Sequence, residues 1–494
     1  MKYYSTRDCT LRYASAEAIK MGLSRDGGLL TPMEIPQIDE AFLNELVNDR
    51  YQERTAKVMG LYLTDYSYEE LLTFAENAYG PEKFDTAAVA PIRTVNENTH
   101  CLELWHGPTS AFKDMALQML PQLLSAALGK TGEDKTVCIL VATSGDTGKA
   151  AMEGFADVPQ TKIMVFYPTD GVSAVQEAQM VTQEGANVGV CSVIGNFDDA
   201  QTGVKRIFSD EAIRAELAER GYVLSSANSI NWGRILPQVV YYISAYCDLL
   251  RDGKITMGQK VNFCVPTGNF GDILAAYYAK RMGLPVNKLI CASNRNDVLT
   301  DFLRTGVYDR NRTFHTTMSP SMDILVSSNL ERLLFDLSGE NDEEVRGYMV
   351  ALNKEGKYEV SDAIKAQLAQ QYWGGFCDET GTAATIAEYY KNGYLIDTHT
   401  AVAVNVMEQY RAATGDETVT VFVSTASPYK FGDHVLTAIG ETPVGDGVEL
   451  LDQMHAVSGV AIPRRLAALK GKERRFNQST EKMDMENVVL DFLK

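Results

Sequence analysis

The chain has 494 residues, enough for two or three domains and a large core, with ordinary hydrophobic (45%) and charged (22%) content. A formal net charge of −19 excludes the basic stripe of a nucleic-acid-binding surface. Its eight cysteines include no Cys-x-x-Cys pair, no apolar run approaches the ~20 residues of a membrane span, and Lys2, Arg7 and Asp8 stand where a signal peptide is apolar, so a soluble, cytoplasmic protein is expected.

Residues 1 to about 95 lack a βα rhythm. A Gly-rich turn, Arg25-Asp26-Gly27-Gly28-Leu29, and helices near Ile38–Val47 and Ser67–Tyr79 predict a helical cap on the main body. Then comes His106-Gly107-Pro108-Thr109-Ser110-Ala111-Phe112-Lys113-Asp114, where turn signals give way to the apolar run Met115–Leu120. That pattern is a loop entering a helix, with Lys113 at the junction. A lysine attacks a carbonyl carbon only as a neutral amine, which needs burial or a cationic neighbour. A solvated lysine at a helix start is the alternative.

From Cys101 onward the chain alternates β then α. Apolar runs of strand length at Thr136–Ala142, Lys162–Tyr167, Val188–Ile194, Lys260–Val265 and Lys288–Ala292 are separated by helical patterns, including one long helix over Asp199–Arg220 and another over Ile235–Leu250. Runs buried on both faces and separated by helices predict an α/β fold with parallel-rich sheets. Residues 305 to 415 read as largely helical, before a last strand at Thr418–Ser424 and C-terminal helices.

Ligands of open α/β sheets bind beyond the carboxyl ends of the strands, and three polar loops fall there. Thr143-Ser144-Gly145-Asp146-Thr147-Gly148 offers backbone N–H groups to an anion such as a carboxylate, or is an N-cap turn with Ser144 or Thr147 as the cap. Pro266-Thr267-Gly268-Asn269-Phe270-Gly271-Asp272 opens a helix over Ile273–Met282 and suits a phosphate, without being a Walker loop. Thr425, in Ser424–Phe431, either bonds a ring nitrogen or caps the next helix. Phosphate cradle, reactive lysine and Ser/Thr loop together specify pyridoxal phosphate. The histidines form no His-Glu-x-x-His or similar pair, so no metal is expected, and His106 and His315 read as structural or peripheral.

The lysine segment, the three loops, and the openings Tyr4-Ser5-Thr6-Arg7 and Gly22–Leu29 strongly resemble the threonine synthase family, in its longer bacterial and fungal branch, from near residue 3 to about residue 435. The resemblance implies a fold-type-II pyridoxal-phosphate enzyme, like the tryptophan synthase β subunit. It implies an N-terminal unit (1–95), a large cofactor-binding domain (96–135 and 230–494) and a small substrate and closure domain (136–229). The implied reaction is that of a lyase of threonine biosynthesis, converting O-phospho-L-homoserine and water to L-threonine and phosphate. Lys113 would bond the cofactor covalently and move protons among the substrate carbons. Gly268, Asn269, Phe270, Gly271 and Asp272 would surround its phosphate, Thr425 would face its ring nitrogen, and Ser144 and Thr147 would hold the substrate carboxylate. The dianionic substrate phosphate needs cations, for which Arg234 and Lys430 are the candidates, with Lys149 and Arg295 behind them. A monomer or homodimer acting on a small molecule is expected, with no nucleic-acid or membrane partner.

Two positions depart from the pattern. Asp146 replaces an Asn that contacts the cofactor's 3′ oxygen in shorter relatives, so one partner there should hold a proton. Ser427 stands where many members of the branch have His. The competing readings are a phospho-lyase on the same scaffold, releasing 2-oxobutanoate and ammonia, and a catalytically silent protein that binds a phosphorylated metabolite.

Overall fold

In this computed structural model, which describes residues 1–169 and 172–494, the chain opens on a small antiparallel sheet of β1 (Lys2–Ser5), β2 (Arg12–Ala14) and β3 (Leu30–Pro32). Helices α1 (Ser15–Met21), α2 (Glu40–Leu46), α3 (Tyr51–Tyr62) and α4 (Tyr68–Ala78) follow. The side chains of Asp39 and Ser67 accept backbone N–H groups at the starts of α2 and α4, the two expected helices. The sheet and α3 were not expected. α3 buries a charged residue, Arg54, which meets Asp248 at 2.7 Å, and that pairing hides its inward face from a hydrophobic count.

The first large sheet begins with β4 (Ile92–Asn96) and β5 (Thr99–Glu103), before α5 (Lys113–Leu117) and α6 (Leu120–Thr131). The chain then builds a second sheet from β6 (Thr136–Ala142), α7 (Asp146–Phe155), β7 (Thr161–Pro168), α8 (Ala174–Val181), β8 (Val188–Val193), α9 (Phe197–Ser209), α10 (Glu211–Glu219) and β9 (Tyr222–Ser225). The single helix expected over Asp199–Arg220 is two helices. Asp210 breaks it, because its carboxylate accepts the amides of Ala212 and Ile213 and starts α10 afresh.

The long α11 (Trp232–Arg251) returns the chain to the first sheet. There β10 (Val261–Pro266), α12 (Gly271–Arg281) and β11 (Val286–Ser293) are followed by a two-stranded ribbon of β12 (Val307–Asp309) and β13 (Lys357–Glu359), and then by β14 (Tyr372–Phe376) and β15 (Thr420–Ser424). The order is β14-β11-β10-β15-β5-β4, and every pairing is parallel except β4 with β5. All residues of β5, β10 and β15 are buried, as strands covered on both faces must be.

The second sheet runs β16-β8-β7-β6-β9, all parallel, and its edge strand β16 (Ser479–Thr480) comes from the far end of the chain. The helix Met485–Phe492 lays Met485, Val488 and Val489 on the same core as Cys138, Leu140 and Phe166. By pairing and packing these C-terminal residues belong to the second sheet, whereas the expected division assigned them to the unit of the first. Among the described residues no helix is long and apolar enough to cross a membrane, and no cluster of His, Cys, Asp and Glu could hold a metal ion.

Candidate active site

β10, β15 and β5 are neighbours running the same way, so the loops that leave their carboxyl ends emerge side by side. These are the Gly268 loop, the Thr425 loop and the loop that delivers Lys113. The last two are stitched together: the Phe112 amide donates to the Thr425 carbonyl at 2.7 Å, and the Ser427 amide to the Ser110 carbonyl at 3.0 Å.

The lysine loop folds back on its own acid. The amide and hydroxyl of Thr109 both donate to the Asp114 carboxylate at 2.8 Å. Gly107 is needed because a Cβ there would lie 2.6 Å from the Asp114 side chain, and Ser110 adopts a left-handed φ of 59° to finish the turn. α5 then starts at Lys113 itself. Lys113 is enclosed by protein without being fully covered, and burial pushes its pKa from 10.5 to about 8. The Asp146 carboxylate opposes that shift, and the Arg234 and Lys430 cations reinforce it. The solvated alternative fails, since this amine is readily neutral.

His106, at the head of the segment, is structural as expected. It is stacked on Trp105, with Nδ1 2.7 Å from Asp85 and Nε2 2.9 Å from Glu103. Burial opposes its charge, but the two carboxylates outweigh it and push the pKa up to about 9 from 6.5. Because the folded value is raised, the stabilisation is complete below pH 6.5 and is lost as pH rises through about 9. The thermal midpoint of His106→Gln should therefore lie below that of the wild type in acid and converge on it in that window. A gap that does not narrow would refute the assignment.

At the second cradle Phe270 takes a left-handed φ of 63° and α12 starts immediately after it. The Gly268 carbonyl accepts from Ser327 Oγ at 2.8 Å, and the Asn269 carbonyl from the Asn329 amide at 3.2 Å. With the carbonyls turned to that segment, the amides of Gly268 to Asp272 donate to no protein acceptor among the described residues. Free amides at a helix start suit a phosphate. The Asp272 carboxylate is occupied elsewhere, accepting the hydroxyls of Tyr241 and Tyr242 at 2.5 Å each, and burial pushes its pKa up to about 6. Only its backbone fits the expected role.

The Ser144–Gly148 loop arrives from the second sheet, folded by Thr143, whose Oγ1 accepts the amides of Gly145 and Gly148 at 2.9 Å. The N-cap of α7 is Gly145, with no side-chain cap, so the hydroxyls of Ser144 and Thr147 are not spent as caps. Thr425 is likewise free of that duty. Ser427 caps the short turn of helix Pro428–Phe431, which accounts for the residue at the divergent position.

Lys430 corrects one expectation, and Asp146 narrows another. The Lys430 ammonium lies 2.6 Å from Asp146 Oδ1 and donates to the Thr109 carbonyl at 3.0 Å, so it is committed to the protein and not open to a substrate phosphate. Burial alone would raise the Asp146 pKa, but the Lys430 and Lys113 cations hold it well below the usual carboxylate range, so Asp146 is ionised and not protonated. Gln176 Nε2 donates to it at 2.9 Å. Sequence pattern places Thr143 in this loop without showing that its hydroxyl folds it, and gives no hint of Gln176, which reaches Asp146 from 30 residues away.

Of the other cations, Arg295 is exposed, and Lys149 is paired with Glu153 at 2.9 Å. Arg234 is buried, and among the described residues its guanidinium makes one hydrogen bond, Nη1 to the Ala227 carbonyl at 2.7 Å. Its Nε is buried without a partner, and no carboxylate pairs with it among the described residues. A buried guanidinium left this way calls for an anion. Amine, free amides and guanidinium together fit pyridoxal phosphate and a second, phosphorylated anion.

Comparison with known proteins agrees with this arrangement. Residues 2–79 match the family model "Threonine synthase N terminus", 93–360 match "Pyridoxal-phosphate dependent enzyme", and 400–489 match "Threonine synthase, C-terminal". The chain is 40% identical to the threonine synthase of Pseudomonas aeruginosa, over 96% of this chain and 95% of that protein. It is also 40% identical to human threonine synthase-like 1 over 87% of this chain, and the match spans 59% of that relative's length. The crystal structure of PLP-bound threonine synthase from Brucella melitensis superposes with a TM-score of 0.88, at 37% identity and complete coverage of both chains.

Proposed function

Since the chain belongs to the threonine synthase family, whose fold-type-II scaffold binds pyridoxal phosphate, we propose that it converts O-phospho-L-homoserine and water to L-threonine and inorganic phosphate. The observation that carries this reading is Arg234, a buried cation with no carboxylate partner among the described residues that bears electrostatically on Lys113. A cofactor phosphate is served by the Gly268–Asp272 amides, so a second uncommitted cation supports a second phosphorylated ligand.

In this reading Lys113 bonds the cofactor, and Thr425 and the Gly268–Asp272 amides hold its ring nitrogen and phosphate. Pyridoxal phosphate supplies an electron-withdrawing ring that accepts the charge left when a carbon beside the substrate nitrogen loses its proton. Ser144, Thr147 and their loop amides hold the substrate carboxylate, and Arg234 holds its phosphate. Lys113, about half of it neutral near pH 8, would take protons from the α and β carbons. The γ phosphate leaves with its bonding electrons, water adds its hydroxyl at the β carbon, and Lys113 returns protons to carbon. The substrate loses phosphate and gains one water, as the products require.

Incubation of the holoenzyme with O-phospho-L-homoserine should give threonine and phosphate in equal amounts. Arg234→Gln should raise KM by about tenfold or more while leaving cofactor absorbance intact. Release of 2-oxobutanoate and ammonia would replace this reading with the phospho-lyase, and absence of any turnover would leave a binding protein.

A further inference from the structure

A cavity of about 260 Å³ lies between α7, α8 and the C-terminal residues 465–472. Lys113, Ser144, Thr147, Gly268–Asp272, Arg234 and Thr425 are all absent from its wall. Its size is at the low end for ligand pockets and suits a metabolite smaller than a drug.

The wall has a definite charge pattern. Lys149, Arg465 and Lys472 face Glu153, Asp157 and Glu184. Lys149 is buried, 2.9 Å from Glu153, and Lys472 is 2.9 Å from Glu184. Arg465 donates to the Glu82 carbonyl at 2.8 Å and approaches Glu153 only to 3.9 Å, beyond hydrogen-bonding range, so no carboxylate bonds its guanidinium directly. Equal numbers of cations and carboxylates favour neither a dianion nor a dication. They favour a small molecule carrying one charge of each sign.

A neutral group adds to this. Gln179 is 2% exposed and lines the cavity. Its Nε2 donates to the Thr109 carbonyl at 3.2 Å, but its Oε1 is buried with no partner. A buried amide oxygen without a donor costs free energy that an ammonium N–H would relieve.

We propose that this cavity is a second ligand site, separate from the catalytic one, that binds a free α-amino acid. The carboxylate pairs with Arg465, and the ammonium lies among Glu153, Glu184 and the Gln179 oxygen. The occupant touches both halves of the catalytic apparatus. Pro108, on the wall, belongs to the loop that delivers Lys113, and Lys149 sits one turn into the helix that follows the Ser144–Gly148 loop. Gln179 grips the same Thr109 carbonyl as Lys430. Binding there therefore adjusts how the two loops meet and acts as an effector.

The test is calorimetry on the holoenzyme with each of the common L-amino acids in turn, with propionate and propylamine as single-charge probes, and with cofactor absorbance recorded throughout. The expected result is one-to-one binding of at least one amino acid without a shift in absorbance. Arg465→Ala and Glu184→Gln, both changes at partly exposed side chains, should each weaken it by about tenfold. Neither single-charge probe should bind comparably. The proposal is overturned if no amino acid binds at about 10 mM, if all binding shifts the cofactor absorbance, if both variants bind as the wild type does, or if propionate or propylamine binds as well.

Discussion

Replacing Lys113 with alanine is expected to lower turnover by about four orders of magnitude or more and to abolish the covalent hold on pyridoxal phosphate. A fall in pKa from 10.5 to about 8 raises the neutral amine at pH 7.5 roughly two-hundred-fold, and only the neutral amine forms that bond or takes a proton from carbon. The fold should survive, because the loop is held by the Thr109–Asp114 bonds and the Thr425 carbonyl, none of which involves the lysine side chain. Lys113→Arg should be equally inactive, since it keeps the charge but cannot become neutral. In the wild type the rate of cofactor capture should climb with pH through about 8. Turnover by either variant at the wild-type rate, with an unchanged visible absorbance band, would refute the role of Lys113.

The parts of this molecule legible in its sequence are those where one local pattern decides. β10 and β15 are wholly buried, and their unbroken apolar runs give their positions within a residue or two. The lysine segment and the glycine loop are equally visible, because a turn that needs Gly107 or a helix that starts after Phe270 constrains consecutive residues. What stays hidden is decided at long range. β16 is two polar residues held to β8 by backbone bonds such as Ile194 to Thr480, so it has no hydrophobic signature. Arg54 looks like a surface residue until Asp248 is folded against it. Lys430 reads as a free cation because the acid that claims it, Asp146, lies 284 positions earlier in the chain, on the other sheet.

That pairing supports the second large effect. One buried ammonium joins three loops: its own, which follows β15, the lysine loop through the Thr109 carbonyl, and the Ser144–Gly148 loop through Asp146. Lys430→Met removes the charge and keeps the bulk, leaving the buried Asp146 carboxylate with Gln176 as its close donor and Lys113 as the one remaining cation that acts on it. Stranding one member of a buried pair costs about 3 kcal/mol or more, so the variant should unfold at distinctly lower denaturant. Adding Asp146→Asn removes the stranded charge, and the double variant should regain most of that stability, since a neutral pair of similar volume is tolerated. Turnover should behave otherwise. If the ammonium sets how the loops of the two sheets meet around Lys113, the double variant stays about a hundredfold slow in kcat despite its recovered fold. Recovery of stability and rate together would reduce the pair to a structural bond, and failure to recover stability would show that Asp146 is not the group left unpaired.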